Sequence, residues 1–384
     1  MSRPKVAIIG ARGFGEYGGF ETFVGELVPR LEGRSYDIYC SSERNENGDN
    51  PSIMFGSTVI YFPTRFPHNY TLRKVFENLY DWYFVSKCTL SPRCNLVYCL
   101  GILSGLSLII PKIFGVTSIV NVDGLEWKRA KLSFLERTVL RFYFVISCWL
   151  SSNIVVDNSQ LIQYIPTRFK KKVIFLPYGV SRIESSRWEN ELISEHTKDS
   201  DSEINPNEYW LLVARLEPEN NIQTIIEGYL SSQSTKPFVI VGDFTSLKFK
   251  TKLDNLLTQA PPEKKVIMVG SIYNKKILDM LRCHCFAYLH GHSVGGTNPS
   301  LLEAMGAGAL IIAHDNLFNR EVTGDTALYF REPTDLANCL NDIERDTKEF
   351  SGLKRAAQNK AFETYEWGKV AESYNEMFMK VLDQ

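Results

Sequence analysis

The stretch "LHGHSVGGTNPSLLEAMGAGAL", residues 289–310, decides how this chain is read. It continues the apolar run "CFAY", leaves a strand through His290, Gly291 and His292, and crosses Gly295 and Gly296 before a helix begins. Asn298 suits the N-cap because its side-chain oxygen accepts from amides of the first turn, and Pro299 suits the first helical position, where no N–H is needed. "SLLEAMGAG" then runs as a helix until its glycines end it, and "ALIIAHD" returns as a strand. Strand, glycine loop, helix and strand in that order make one βαβ unit. Ligands of open parallel sheets gather at the carboxyl ends of strands. Here Thr297, Ser300 and Leu301 are expected to offer amides at a positive helix end, a natural seat for a diphosphate. Glu303, one turn in, is placed to accept hydrogen bonds from a ribose. A solvated helical glutamate is the plain alternative.

The same alternation extends both ways. "YWLLVARL", "FVIVGD" and "KVIMVGS" precede the stretch and "ALYF" follows it. Earlier, "KVAIIG", "DIYCSS", "TVIYF", "NLVYCL", "SIVNVDG", "NIVVDNS" and "VIFLPYG" repeat the pattern, each separated by helix-like segments. This implies mostly parallel sheets of α/β class. The polar, charged residues 181–208 interrupt the series and read as a linker. A chain of 384 residues is too long for one ordinary core. Two Rossmann-like domains are therefore expected, 1–180 and 181–364, the second including the linker. In the last segment, 365–384, Trp367, Val370, Tyr374, Met377, Phe378 and Val381 recur at spacings of three and four, the stripe of a helix expected to pack back on the first domain.

Composition narrows the function classes. A net charge of −1 does not favour a nucleic-acid partner. The eight cysteines hold no CxxC pair and the six histidines show no zinc-like spacing, so reduced thiols and no metal are expected. The start "MSRPKVAIIG" has too short an apolar run for a signal peptide. "LGILSGLSLIIP" (100–111) and "VLRFYFVISCWLSSNIVV" (139–156) fall short of a spanning helix, which needs about 20 uninterrupted apolar residues, and Arg141 breaks the second. Charge is uneven, with roughly 21 Lys and Arg against 14 Asp and Glu up to residue 180 and the acidic excess beyond it.

A second glycine-rich loop, "GARGFGEYGG", follows the first strand. No GK[ST] follows it, and Gly10, Gly13 and Gly15 do not satisfy GxGxxG. Gly18 and Gly19 immediately precede "FETFVGELVPRL" and are expected to present bare amides to an anion at a helix start. A tight turn needing positive φ explains them equally well.

"YGGFETFVGEL", "VNVDGLEWKRAK", "VARLEPENN", "HGHSVGGTNPSLLEAMGAG" and "AHDNLFNREV" together resemble the family 4 retaining glycosyltransferases, and within them the bacterial rhamnosyltransferase-type subgroup that builds surface polysaccharides. The resemblance covers nearly the whole chain. It implies the GT-B fold, two Rossmann-like domains facing a central cleft, and a nucleotide-sugar donor held by the second domain. Glu303 falls on the family's ribose-binding glutamate. The partner carboxylate of that motif falls on Gly295, so contacts to donor hydroxyls are expected from Gly295 and Gly296 amides or from His290 and His292, which otherwise are ordinary loop histidines. The family's phosphate-binding Arg and Lys map to Arg215 and Asn220, so Arg215 alone keeps a charge for the departing diphosphate. Asp123, in "NVDGLEW", is the candidate contact to the sugar or acceptor, with an Asp-Gly turn as the alternative. Tyr273 is expected to bear on the choice of base.

The resemblance further implies retaining transfer without an obligate protein nucleophile and without a metal, from dTDP-rhamnose to a polyprenyl-diphosphate-linked glycan. UDP- or GDP-sugars are the alternative donors. A non-hydrolysing epimerase and an inactive nucleotide-binding scaffold are the alternative functions. "YTLRKVFENLYDWYFVSKCTL" (70–90) and "EWKRAKLSFLERTVLRFYF" (126–144) mix Lys and Arg with aromatic and aliphatic residues, as interfacial helices do. A cytoplasmic enzyme peripheral on an anionic membrane surface is expected, with helices facing their own core as the plain alternative.

Overall fold

A computed structural model describes residues 5–14, 18–32, 35–40, 52–61, 70–129, 132–183, 187–196 and 204–383. Residues 15–17 of the first glycine loop, and 184–186 and 197–203 of the polar linker, lie outside the described residues. The chain divides into two compact units, one of residues 1–128, 132–178 and 367–384, the other of 129–131 and 179–366.

Among the described residues the first unit has eight strands: β1 (Lys5–Ala11), β2 (Ser35–Cys40), β3 (Ser52–Met54), β4 (Ser57–Tyr61), β5 (Cys94–Leu100), β6 (Thr117–Val122), β7 (Asn153–Val156) and β8 (Val173–Phe175). Their order is β3-β4-β2-β1-β5-β6-β7-β8. Buried on both faces, β1, β5 and β7 carry near-continuous apolar runs, as parallel strands covered by helices must. Among the described strands β3 alone is antiparallel, turning into β4 through Phe55 (φ 49°) and Gly56 (φ 73°), the two positive φ values of a tight hairpin. A three-residue edge strand has no periodicity to read, and sequence reasoning missed it.

The helix Trp367–Leu382 belongs to this unit, and its stripe is buried. Trp367 and Tyr374 pack their rings against Phe23, Phe378 packs against Tyr36, and the Tyr98 and Tyr374 hydroxyls meet at 3.4 Å.

The second unit has six parallel strands: β9 (Trp210–Val213), β10 (Phe238–Val241), β11 (Val266–Met268), β12 (Ala287–His290), β13 (Ile311–His314) and β14 (Leu328–Phe330). The order β11-β10-β9-β12-β13-β14 reverses direction between β9 and β12. At such a switch point the two following loops splay to opposite faces and leave a crevice at the strands' carboxyl ends. Trp210, Leu212, Ile240, Leu289 and Ile312 form the centre of the core beneath it.

Candidate functional site

The crevice is lined by the loop after β9 and the loop after β12. Arg215 leaves β9 with its side chain exposed. Its carbonyl accepts from the Glu217 amide at 2.9 Å and from Asn220 Nδ2 at 2.7 Å. Asn220, which stands at the family's phosphate-binding Lys position, is buried, and its side chain closes the turn Pro218–Asn220. Asn221 Nδ2 donates to the Gly291 carbonyl at 2.7 Å, and the Ser293 amide and hydroxyl donate to the Glu219 carbonyl at 3.1 and 2.7 Å. A Cβ at Gly291 would lie 2.0 Å from the Asn220 carbonyl oxygen. The glycine is there because two backbones touch.

His290 is buried at the end of β12, and its ring stacks on that of His292 at 4.7 Å and 16°. Among the described residues neither His290 Nε2 nor His292 Nδ1 has a hydrogen-bond partner. Burial, then the neighbouring His292 and His314, hold His290 well below the ordinary histidine range. Burial, then the Arg215 charge, lowers His292 to about 3. The pair is therefore neutral at physiological pH and presents imidazole nitrogens able to donate to or accept from hydroxyls. The His292 carbonyl is gripped by Asn316 Nδ2 at 2.9 Å and Asn319 Nδ2 at 3.0 Å. These two residues lie within "AHDNLFNREV", yet sequence reasoning did not single them out.

Beyond Gly295 (φ 150°, with open space where a Cβ would be) and Gly296, Thr297 is buried and Asn298 caps the helix Pro299–Gly306. The Asn298 side chain accepts from the Ser300 amide at 3.0 Å, and its carbonyl accepts from the Leu301 amide at 3.1 Å. Two of the three amides assigned to a diphosphate, those of Ser300 and Leu301, are thus engaged by the cap itself, and Leu301 is a core side chain. The Ser300 hydroxyl donates to the Val213 carbonyl at 3.0 Å and meets the Tyr288 hydroxyl at 2.5 Å, tying the helix start to the end of β9.

Glu303 is partly buried and does not stand as a free acceptor. Its Oε2 is 2.5 Å from Nη2 of Arg282, which lies buried on the helix Lys275–Cys283. A buried guanidinium needs such a partner, and the pair fixes the orientation of the carboxylate. Sequence reasoning missed Arg282. The available signal was faint, an arginine on the apolar-rich end of a strongly amphipathic helix.

The remaining candidates lie elsewhere. Tyr273 is exposed, on the loop after β11 at the edge of the sheet. Gly18, Gly19 and Asp123 belong to the first unit. Gly18 caps the helix Gly19–Leu27 with φ 166°, extended backbone open to any residue, so a positive-φ turn is not the reason for the glycine. The reason is the first-turn Glu21, whose Oε2 would lie 2.0 Å from a Cβ at Gly18 and whose Oε1 accepts from the Arg12 amide at 2.7 Å. Buried Glu21 places its own negative charge at this positive helix end. Asp123 follows β6, partly buried, and both it and buried Asp157 push the Tyr98 hydroxyl's pKa further up, after burial and Tyr374.

Comparison with known proteins matches each unit to a different family model. Residues 194–360 match the family described as glycosyl transferases group 1, and residues 3–181 match a domain of unknown function, DUF1972. None of the curated proteins matches the sequence. Sucrose-phosphate synthase from Thermosynechococcus elongatus superposes with a TM-score of 0.80 at 15% identity, covering 99% of this chain and 100% of its own. Anabaena HepE in complex with UDP-glucose gives 0.74 at 14% identity, covering 98% and 99%. The UDP-forming α,α-trehalose-phosphate synthase from Burkholderia xenovorans gives 0.71 at 11% identity, covering 99% and 100%. At these identities the likeness is one of fold. The two Rossmann-like sheets are those of the GT-B fold. The match to the glycosyl transferases group 1 family falls within the second unit.

Proposed function

We propose that the protein is a retaining, metal-independent glycosyltransferase that moves L-rhamnose from dTDP-rhamnose to a polyprenyl-diphosphate-linked glycan, at the cytoplasmic face of an anionic membrane. The observation that carries this reading is the convergence, at the carboxyl ends of β9 and β12, of the Arg215 cation, the neutral His290–His292 stack and the capped helix bearing Glu303. A nucleoside diphosphate leaving group develops negative charge as its bond to the anomeric carbon breaks. Arg215 is positioned to meet it, and a preorganised cation there lowers the barrier without reorganising at the moment of reaction.

In this reading Glu303, oriented by Arg282, accepts from the sugar hydroxyl of the nucleoside, and the histidines and the Gly295–Gly296 backbone address the transferred sugar. An aspartate or glutamate at Gly295 would accept from hydroxyls. A glycine flanked by neutral imidazoles suits a 6-deoxyhexose, which has one hydroxyl fewer. The acceptor oxygen attacks on the face the diphosphate leaves, its bond to the anomeric carbon forms as the phosphate oxygen bond breaks, and its proton passes to the departing phosphate. In this reading neither a protein nucleophile nor a metal is required.

A UDP-sugar donor is the second reading, favoured by the UDP and UDP-glucose complexes of HepE. Calorimetry with dTDP-rhamnose, UDP-glucose, UDP-N-acetylglucosamine and GDP-mannose, with and without chelator, separates the two. Chelator-insensitive preference for dTDP-rhamnose supports the proposal, preference for another sugar moves the donor assignment, and silence across the panel favours a scaffold role.

A further inference from the structure

The loop after β12 is held by its backbone at three successive residues. The Gly291 carbonyl accepts from Asn221, and the Ser293 amide donates to the Glu219 carbonyl. Between them, the His292 carbonyl accepts from both Asn316 Nδ2 and Asn319 Nδ2. The same two nitrogens donate to the carbonyl of His314, the last residue of β13, at 3.2 and 2.8 Å. An amide has two N–H groups and a carbonyl two lone pairs, so two side chains and two carbonyls close one complete node joining the ends of β12 and β13. Asn316 also caps the helix Leu317–Thr323, its Oδ1 accepting from the Phe318 and Asn319 amides at 3.0 Å. Asn319 is buried, and its carbonyl accepts from the Thr323 hydroxyl at 2.8 Å. One helix thereby carries both amides in fixed places. The imidazoles are treated in the opposite way: among the described residues, His292 Nδ1 and the Nε2 of His290 stacked beside it have no hydrogen-bond partner. A buried polar atom left so is costly, and a ligand hydroxyl removes the cost.

We infer that Asn316 and Asn319 are positioning residues of the transfer site: through the His292 carbonyl they hold its imidazole where the donor's sugar is read, and the choice among sugars depends on them. A hydrogen bond to a sugar hydroxyl is directional, and a misplacement of about 1 Å is enough to cost about 100-fold in a positioned contact. Stability alone asks for the backbone bonds. It does not ask for two buried imidazole nitrogens left open beside them. The diphosphate contact is separate, because Arg215 lies on the loop after β9, outside the node, and should not move with it. The inference rests on the reading that the histidines address the transferred sugar, and it says what keeps them there.

Calorimetry on the full chain tests it with donor pairs that share a nucleoside diphosphate and differ in the sugar: dTDP-rhamnose against dTDP-glucose, and UDP-glucose against UDP-N-acetylglucosamine, with dTDP and UDP alone beside them. In the pair it prefers, the wild type should separate the two sugars by at least about tenfold. Asn316→Ser keeps an oxygen for the helix cap, Asn319→Ala leaves Asn316 in place, and in each variant both carbonyls retain one donor. Each should lose most of the separation, to about threefold or less, while affinity for the bare nucleoside diphosphate stays within about twofold. Thr323→Val removes a hydroxyl bond from the same helix without touching either amide, and should keep the full separation. Separation lost in His292→Ala but kept in both asparagine variants would overturn the inference alone and leave the sugar reading standing. An equal loss for sugars and bare diphosphate, the same loss of separation in Thr323→Val, or failure of both asparagine variants to fold would also overturn it, each the mark of a node serving stability only. A wild type that binds neither pair, or both members of each pair equally, would contradict the sugar reading and take the inference with it.

Discussion

Two helices begin beside the two sheets' ligand ends, and they treat their positive ends in opposite ways. In the first unit, Glu21 folds back over Gly18 and supplies an internal anion to the start of Gly19–Leu27. In the second unit, Pro299–Gly306 is capped by neutral Asn298 with no acidic residue in its first turn, and its Glu303 is paired with Arg282. A helix end already neutralised by a carboxylate has little left to offer a diphosphate. The contrast gives Gly18 a structural reason, and under the proposed function it favours the second unit as the seat of the leaving group.

The contrast can be broken by substitution. The largest effect is expected at Glu303→Ala, which takes the carboxylate from buried Arg282 and should cost about 3 kcal/mol of stability in urea unfolding. Glu303→Gln should retain most of it, and is the variant in which weakened donor binding reports on the nucleoside contact. Gly291→Ala comes next. Its Cβ would meet the backbone oxygen of Asn220 at 2.0 Å, and the two loops of the crevice must part, at about 2–3 kcal/mol in the same assay. Gly18→Ala meets an equally close atom, but that atom is the tip of a side chain. A loss of only about 1 kcal/mol, with donor affinity unchanged, is expected there. An equal loss at the two glycines would erase the distinction between a backbone contact and a swung carboxylate.

A further effect is expected in pH. His292 is lowered to about 3, while the unfolded histidine titrates at its ordinary value. Between those values the unfolded chain binds the proton and the folded chain does not, so stability falls as pH drops below about 6.5 and is complete above it. The slope from one such group is at most about 1.4 kcal/mol per pH unit. His292→Gln should flatten it in urea titrations between neutral pH and mild acid.

What the sequence discloses and what it hides follow one rule. Strands such as "KVAIIG" and "ALIIAHD" are visible because burial on both faces demands consecutive apolar residues, and the Asn298–Pro299 helix start is visible because capping chemistry is local. Arg282 is invisible because its partner Glu303 lies 21 positions on, on another helix, and no spacing connects them. The roles of the Ser300 hydroxyl and Asn220 are hidden for the same reason: their partners, the Val213 and Arg215 carbonyls, are backbone atoms to which no local pattern points. The Phe134–Leu150 helix carries apolar residues on both sides, so periodicity alone leaves its outward face undecided. Position in the fold decides it.

Arg215 is where donor binding should be tested first. Its side chain is exposed, so Arg215→Ala should leave the unfolding midpoint unchanged within about 0.5 kcal/mol. Calorimetric affinity for dTDP-rhamnose, or for whichever nucleotide-sugar the wild type prefers, should fall by about 10- to 100-fold, the worth of one charge-assisted contact to a diphosphate. Undiminished affinity in a folded Arg215→Ala protein would contradict the placement of the diphosphate on the second unit.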